Sequence, residues 1–256
     1  MEYKSIACIA DETPKAQNAY NALMAKYKLT QDPQNADIII VMGGDGFMLH
    51  CLHEYMQLDK PFYGINCGSV GFLMNENRDD DLYARLASAK TEVITPLQMT
   101  SITRDGKKEY ALAVNEVSLL RSSKQVAKLR ISVDEMVRIP ELSCDGVLLA
   151  TPAGSTAYNL SVHGPIIPLG SGVLALTPIS PFRPRRWKGA LLSHKAVVRV
   201  EVLDPEKRPV NAVADFTESV DVIFIEISEA ADKGIKLLFD LGHSLEDRII
   251  LEQFTP

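Results

Sequence analysis

Residues 36–50, ADIIIVMGGDGFMLH, decide the fold of this chain. Positions 37–42 hold three consecutive isoleucines and a valine, a run without polar alternation that suits a parallel strand buried on both faces. The run stops at Gly43-Gly44, and 47–56 reads as a helix. Without Cβ atoms, Gly43, Gly44 and Gly46 let backbone N–H groups approach a phosphate, and the helix aims the positive end of its dipole at the same place. Asp45 lies among them, a carboxylate where a held anion would be repelled. It either caps the helix, or it has a separate task in phosphoryl transfer, accepting a hydrogen bond from an attacking hydroxyl or holding Mg²⁺.

Outward from that stretch, 5–10 and 61–66 read as strands, with a helix that Thr13 caps and Pro14 opens between the first two. This βαβαβ opening predicts a Rossmann-like parallel sheet with right-handed crossovers and ligands beyond the carboxyl ends of the strands. GINCGSVGFLMNEN (64–77) adds a second glycine turn, and a helix over 79–90 closes a first domain at 1–91. From there, Val, Ile, Thr and Leu fall in short alternating runs: strands are expected at 111–121, 127–133, 147–151, 196–203, 209–214 and 220–228, with a hairpin turn at Asp105-Gly106. The expected fold class is therefore α/β plus all-β, with a β-sandwich over 92–234. A tail over 235–256, a strand at 235–239 and a capped helix over 244–254, returns to the first domain.

The chain has 256 residues and a formal net charge of -6, which argues against a nucleic-acid partner despite the basic run Arg183, Arg185, Arg186 and Lys188. Four scattered cysteines form neither a C-x-x-C nor a zinc-ligand pattern, so no metal ligands are assigned and a reducing compartment is expected. No apolar run approaches the ~20 residues that span a bilayer. The opening residues show no secretory leader. A soluble, cytoplasmic protein with no membrane partner is expected.

Two further stretches carry chemistry. Asn115-Glu116 lies in the apolar run AVNEVSLL, where an amide and a carboxylate are costly without partners. The pair is either satisfied by neighbouring backbone, or reads an adenine edge and ribose hydroxyls. Residues 144–158, CDGVLLATPAGSTAY, place an acid, a strand and a hydroxyl-rich loop together. Ser155, Thr156 and Tyr158 offer hydroxyls, Ala157 leaves room for a flat ring, and Asp145 is placed to hold a second sugar or an amide. A purely structural polar turn is the other reading.

In this order, GGDG (43–46), NE (115–116), DGVLLATPAGSTAY (145–158) and HGP (163–165) resemble the NAD kinase family, its bacterial members most closely; GINCGSVGFL (64–73), ISPFRP (179–184) and SLEDRIILEQF (244–254) extend the likeness over most of the chain. The resemblance implies an α/β domain joined to a β-sandwich, assembly as homodimers or homotetramers, and Mg²⁺ with ATP, or sometimes polyphosphate, as donor. It implies that Asp45 orients and deprotonates the adenosine-ribose 2′-hydroxyl of NAD, while Gly43, Gly44 and Gly46 line the phosphate path. Asn115 would contact adenine and Glu116 a ribose. Ala153, Thr156, Ala157, Tyr158 and Ser161 would surround the dinucleotide, with Asp145 towards its nicotinamide half and Phe72 over the pocket. Three departures stand out: Phe47 where relatives commonly have threonine, His163 where glycine is frequent, and Phe216 where histidine is frequent. GGDG also marks lipid kinases, and a dinucleotide sensor that has lost phosphoryl transfer is a third reading.

Overall fold

A computed structural model describes residues 3–68, 71–78 and 80–242, and the chain divides into two compact units. One unit is built from the chain up to Ile94 together with the chain from Gly234; the other is Thr95–Lys233. The helix expected at 244–254 lies outside the described residues.

In the first unit, β1 (Ile6–Ala10), α1 (Pro14–Lys26), β2 (Ile38–Gly43), α2 (Asp45–Tyr55), β3 (Phe62–Asn66), α3 (Leu82–Ser88) and β4 (Lys90–Ile94) precede a strand from the chain's far end, Ile235–Phe239. The sheet order is β1, β2, β3, Ile235–Phe239, β4, parallel except for the last pairing. All six residues of β2 are buried, as a run of isoleucines covered on both faces must be. Ile38, Ile40 and Met42 pack with Ala16, Ala19 and Leu23 of α1 and with Tyr63 and Ile65 of β3. The opposite face of β3 belongs to α2, since a Cβ on Gly64 would meet the Met48 Cε at 2.7 Å. The first connection is not a plain βαβ unit: after α1, Thr30 bridges the outer edge of β1 before the chain enters β2.

The second unit contains β5 (Leu97–Thr103), β6 (Lys108–Ala113), β7 (Glu116–Arg121), β8 (Ala127–Val133), β9 (Met136–Cys144), β10 (Gly146–Ala150), a 3₁₀ turn (Ala153–Thr156), α4 (Tyr158–Ser161), β11 (Val173–Ile179), β12 (Ala190–Ser193), β13 (Val198–Val202), β14 (Val210–Ala214), β15 (Thr217–Ser219) and β16 (Val222–Glu229). They form two antiparallel six-stranded sheets, ordered β12-β11-β10-β7-β14-β15 and β6-β5-β16-β13-β8-β9. Alternate residues such as Val117, Leu119, Val147, Leu149, Val198 and Ile225 fill one core. The hairpin closes at Asp105-Gly106, where Gly106 takes φ 86.

Three sequence readings need correction. The single strand expected at 111–121 is two, β6 and β7, interrupted at Val114-Asn115. The helix expected to 90 stops at Ser88, and Lys90–Ile94 is a strand of the first sheet. Strands β9, β11, β12 and β15 were not anticipated; β9 is largely exposed over Met136–Glu141 and carries Pro140, so it shows no buried alternation to read.

Candidate active site

The glycine turn of the first unit is built by the end of β2 and the start of α2. Gly44, extended at φ -115 and ψ -177, is the residue before the helix, and Asp45 is its first residue. Gly43 is required, because a Cβ there would lie 2.9 Å from the Phe47 ring. Beyond Gly44 and Gly46 there is open space where a Cβ would stand, so ligand atoms can reach the first-turn N–H groups, which have no partner within the helix. Phe47 is half-buried and stacks on His50, with ring centroids 6.5 Å apart.

The Asp45 carboxylate is held by the second glycine turn. The Phe72 N–H donates to Oδ2 at 2.7 Å, and the Leu73 N–H to Oδ1 at 2.9 Å. Gly71 keeps this approach possible, since a Cβ on it would lie 3.0 Å from Oδ1. Asp45 and Phe72 are thus brought together through the Phe72 backbone, and Phe72 is half-buried.

In the second unit, Asn115 lies in the break before β7 and Glu116 is the first residue of β7, and Asp215 stabilises that break. Its carboxylate accepts from the N–H groups of Val114 (2.6 Å), Asn115 (3.1 Å) and Glu116 (3.3 Å). Sequence reasoning missed Asp215; the available signal was an acid at the end of the apolar run PVNAVAD, in a turn where it takes φ 50. Val117 and Leu119 point into the sandwich core, so Glu116 projects from the other face, beneath the segment 153–162. One of its carboxylate oxygens is buried without a hydrogen bond. Burial first, and the Asp215 charge second, push the Glu116 carboxyl up to about 7, against a single backbone hydrogen bond from Tyr158.

The loop after β10 is tied to that break. The Thr151 N–H donates to the Asn115 carbonyl and its hydroxyl to the Val114 carbonyl, at 2.9 and 2.7 Å. Gly154 lies so close that a Cβ would fall 2.2 Å from the Asn115 carbonyl oxygen. Ser155 is fully buried; its hydroxyl donates to Pro152 O and accepts from Ile167 N, so it offers nothing to a ligand, contrary to the reading of three available hydroxyls. Ala153 is buried, Thr156, Ala157 and Tyr158 are half-buried, and Ser161 is exposed at the end of α4. Burial, then the charges of Glu116 and Asp145, raise the Tyr158 phenol above its ordinary range. Asn159, also missed, is fully buried and bonds Ser155 O, Pro165 O and the Thr177 hydroxyl.

Asp145 precedes β10, whose register pairs Gly146 with Leu120 and Ala150 with Glu116. The two acids therefore stand at opposite ends of the β7–β10 pair, roughly 17 Å apart along the strand. Arg121 donates from Nε to Asp145 at 2.6 Å, a partner the sequence reading did not supply. His163 is exposed at φ 64, and Phe216 is exposed in the turn after Asp215.

A glycine turn opening a helix on an α/β sheet, carried in one chain with an antiparallel sandwich that presents a half-buried acid and amide, defines a two-unit nucleotide-handling protein. Residues 4–89 match the family described as the ATP-NAD kinase N-terminal domain and residues 114–228 that described as the ATP-NAD kinase C-terminal domain. The chain belongs to the NAD kinase family. It is 53% identical over 250 residues to the NAD kinase of Mesorhizobium japonicum, covering 98% of this chain and 97% of that one, and 54% identical over 250 residues to that of Caulobacter vibrioides, covering 98% and 96%. Its fold is similar to that of yeast NADH kinase complexed with NADH, with a TM-score of 0.81 at 21% identity over 98% of this chain and 87% of that one. It is also similar to an Archaeoglobus fulgidus NAD kinase in complex with ATP, with a TM-score of 0.75 at 24% identity over 97% and 98%.

Proposed function

We propose that this chain phosphorylates the adenosine-ribose 2′-hydroxyl of NAD with ATP, giving NADP. The observation that carries the reading is a family match across both units in a chain whose GGDG carboxylate, Asp45, is held by the backbone N–H groups of Phe72 and Leu73. Asp45 accepts the hydrogen bond of the 2′-hydroxyl and aims its oxygen at the γ-phosphorus. A carboxylate is too weak a base to remove that proton first. In a loose transition state the proton leaves late, as the oxygen bonds to phosphorus, so an oriented acceptor suffices. Gly43, Gly44 and Gly46 line the phosphate path. The Glu116 oxygen left without a partner takes a hydrogen bond from a ribose hydroxyl, and Asn115 pairs with the adenine edge. Phe72, Ala153, Thr156, Ala157, Tyr158 and Ser161 surround the dinucleotide, with Asp145 towards its nicotinamide.

Mg²⁺ enters as the complex of ATP, an ion the phosphates themselves hold; among the described residues no group of three or more His, Cys, Asp or Glu side chains could hold a metal ion. Four free, buried cysteines support a reducing cytoplasm as the setting. Among the described residues no helix is long and apolar enough to cross a membrane. Assembly as a homodimer or homotetramer rests on the family resemblance and is read by light scattering. The lipid-kinase and sensor readings find no support among the relatives, which are named NAD kinases.

The test is a coupled assay for NADP with ATP or polyphosphate as donor and NAD or NADH as acceptor. Formation of NADP from NAD and ATP is expected; its absence with every donor overturns the reading.

A further inference from the structure

We infer that Asn75 is a positioning residue for Asp45: it fastens the strap of residues 71–75 so that the Phe72 and Leu73 N–H groups fix both carboxylate oxygens. The inference rests on the reading of Asp45 as the acceptor of the hydroxyl proton, and concerns the first unit alone.

The strap runs back alongside β3. Its main chain joins the sheet beside Ile65, where the Asn75 N–H donates to Gly64 O and the Asn66 N–H to Asn75 O, both at 2.8 Å. The fit is close, because a Cβ on Gly64 would meet the Met74 sulfur at 2.6 Å and Leu73 O at 2.9 Å. The Asn75 side chain then does what a peptide group would do in a continuous sheet. The strand Ile235–Phe239 pairs with β3 only at Leu237 and Phe62. Past that pair, the Asn75 amide donates to Gly64 O (3.1 Å) and Leu238 O (2.9 Å), and its carbonyl accepts from the Asp240 N–H (2.8 Å). Asn75 is fully buried. Aspartate would lose both donors and leucine all three bonds, so only an amide of this length serves.

A second brace acts on the far end. Arg85 Nη2 donates to Glu76 O at 2.8 Å and to Asp240 Oδ2 at 2.7 Å, and the Tyr63 hydroxyl donates to Asp240 Oδ1 at 2.7 Å. The chain entering and leaving Asn75 is therefore anchored on β3, on the returning strand and on α3. Three and two residues upstream of Asn75, Phe72 and Leu73 are the donors that set the Asp45 carboxylate. Catalysis by orientation is sensitive to shifts of this kind, since an angstrom of misplacement far from the reacting atoms costs as much as ~10²-fold in rate.

The experiment compares the full chain with Asn75→Ala and with Arg85→Lys, which keeps a cation beside Asp240 but cannot fork to the Glu76 and Arg78 carbonyls that follow the strap. Steady-state kinetics with NAD and Mg-ATP, calorimetric NAD binding and amide hydrogen exchange are measured on each. For Asn75→Ala the expected outcome is a kcat at least tenfold lower, with KM and Kd for NAD within threefold, and faster exchange at the Phe72 and Leu73 amides while β1 and β2 amides are unchanged. Arg85→Lys is expected to lower kcat about threefold with the same pattern. Wild-type kcat in a folded Asn75→Ala overturns the proposal, as does an equal loss of kcat and NAD affinity. If Asn75→Ala fails to fold, the Arg85→Lys split decides. If the wild-type chain makes no NADP, the functional reading has failed, and exchange at Phe72 and Leu73 in Asn75→Ala and Arg85→Lys still tests the strap.

Discussion

Two carboxylates, one in each unit, are handled in opposite ways. Asp45 has both oxygens engaged by backbone N–H groups at 2.7 and 2.9 Å. Glu116 keeps one oxygen buried with no partner, next to the like charge of Asp215, and its carboxyl is pushed up to about 7. A carboxylate already fixed in place loses little freedom when its substrate arrives, which is what a group needed at the transition state requires. A buried oxygen without a partner is destabilising until a ligand donor reaches it, which is what a group needed for selective binding requires. The contrast separates a residue built for rate from one built for recognition.

The largest effect is expected where that separation is sharpest. Asp45→Asn keeps the side chain's shape but gives the position an NH₂ in place of one acceptor oxygen. Turnover should fall by about 10³-fold or more, while NAD binding stays within a few-fold of wild type. Near-normal turnover would remove Asp45 from the mechanism and erase the contrast. Asp215→Ala acts on the other side of the comparison. It strips three N–H groups at the β6–β7 break of their shared acceptor and should cost about 3 to 4 kcal/mol in urea unfolding. Without the neighbouring charge, the Glu116 carboxyl should also titrate closer to its ordinary range. A carbon-13 titration of the Glu116 carboxyl that matches wild type would show that burial alone sets it.

Glu116 itself makes stability and binding depend on pH with a defined sign. Its folded carboxyl, at about 7, lies above the ordinary 4.5, so the native state holds the proton more tightly than the unfolded chain. The stabilisation is complete below pH 4.5 and is lost as pH rises towards and through 7, at most about 3 kcal/mol in all. Glu116→Gln should flatten this part of the stability profile between pH 5 and 8. A ribose hydroxyl donating to the carboxylate favours its ionised form, so NAD binding near pH 7 should release a fraction of a proton in the wild type and none in Glu116→Gln. Calorimetry in buffers of different ionisation enthalpy measures that count. A wild-type value of zero would break the assignment of Glu116 to a hydroxyl.

Much of the first half of this contrast was legible in the sequence, and less of the second. Residues 36–50 state their structure locally: an isoleucine run that must be buried on both faces, a stop at two glycines, and an acid that cannot simply be an anion ligand. The partners of that acid were not legible, because a backbone N–H has no sequence signature; only the glycines at 64 and 71, which let the strap approach, hint at it. At Glu116, the cost of an acid in an apolar run is readable, but the run reads as one strand. The interruption depends on Asp215, a hundred residues away, and periodicity within a window does not register a bond across the fold. Ser155 fails for a related reason: a hydroxyl in a loop looks available until Ile167 is found to donate to it.

The smallest effect concerns His163, on the segment that follows the cover over Glu116. It adopts φ 64, a conformation that costs an L-residue about 1 to 2 kcal/mol and glycine almost nothing. Glycine also gains freedom in the unfolded chain, which offsets roughly 0.4 to 1 kcal/mol of that relief. His163→Gly should therefore stabilise the protein by only about 0.5 kcal/mol, a rise in melting temperature of roughly 1 to 2 °C for a chain of this size. The side chain is exposed, so its loss removes no buried contact. Because Glu116 owes its raised carboxyl to burial and to Asp215, the substitution should leave the proton released on NAD binding unchanged. A change in that count would mean that the backbone at 163 helps hold the cover over the acid, and that recognition in the second unit depends on loop strain as well as on an oxygen without a partner.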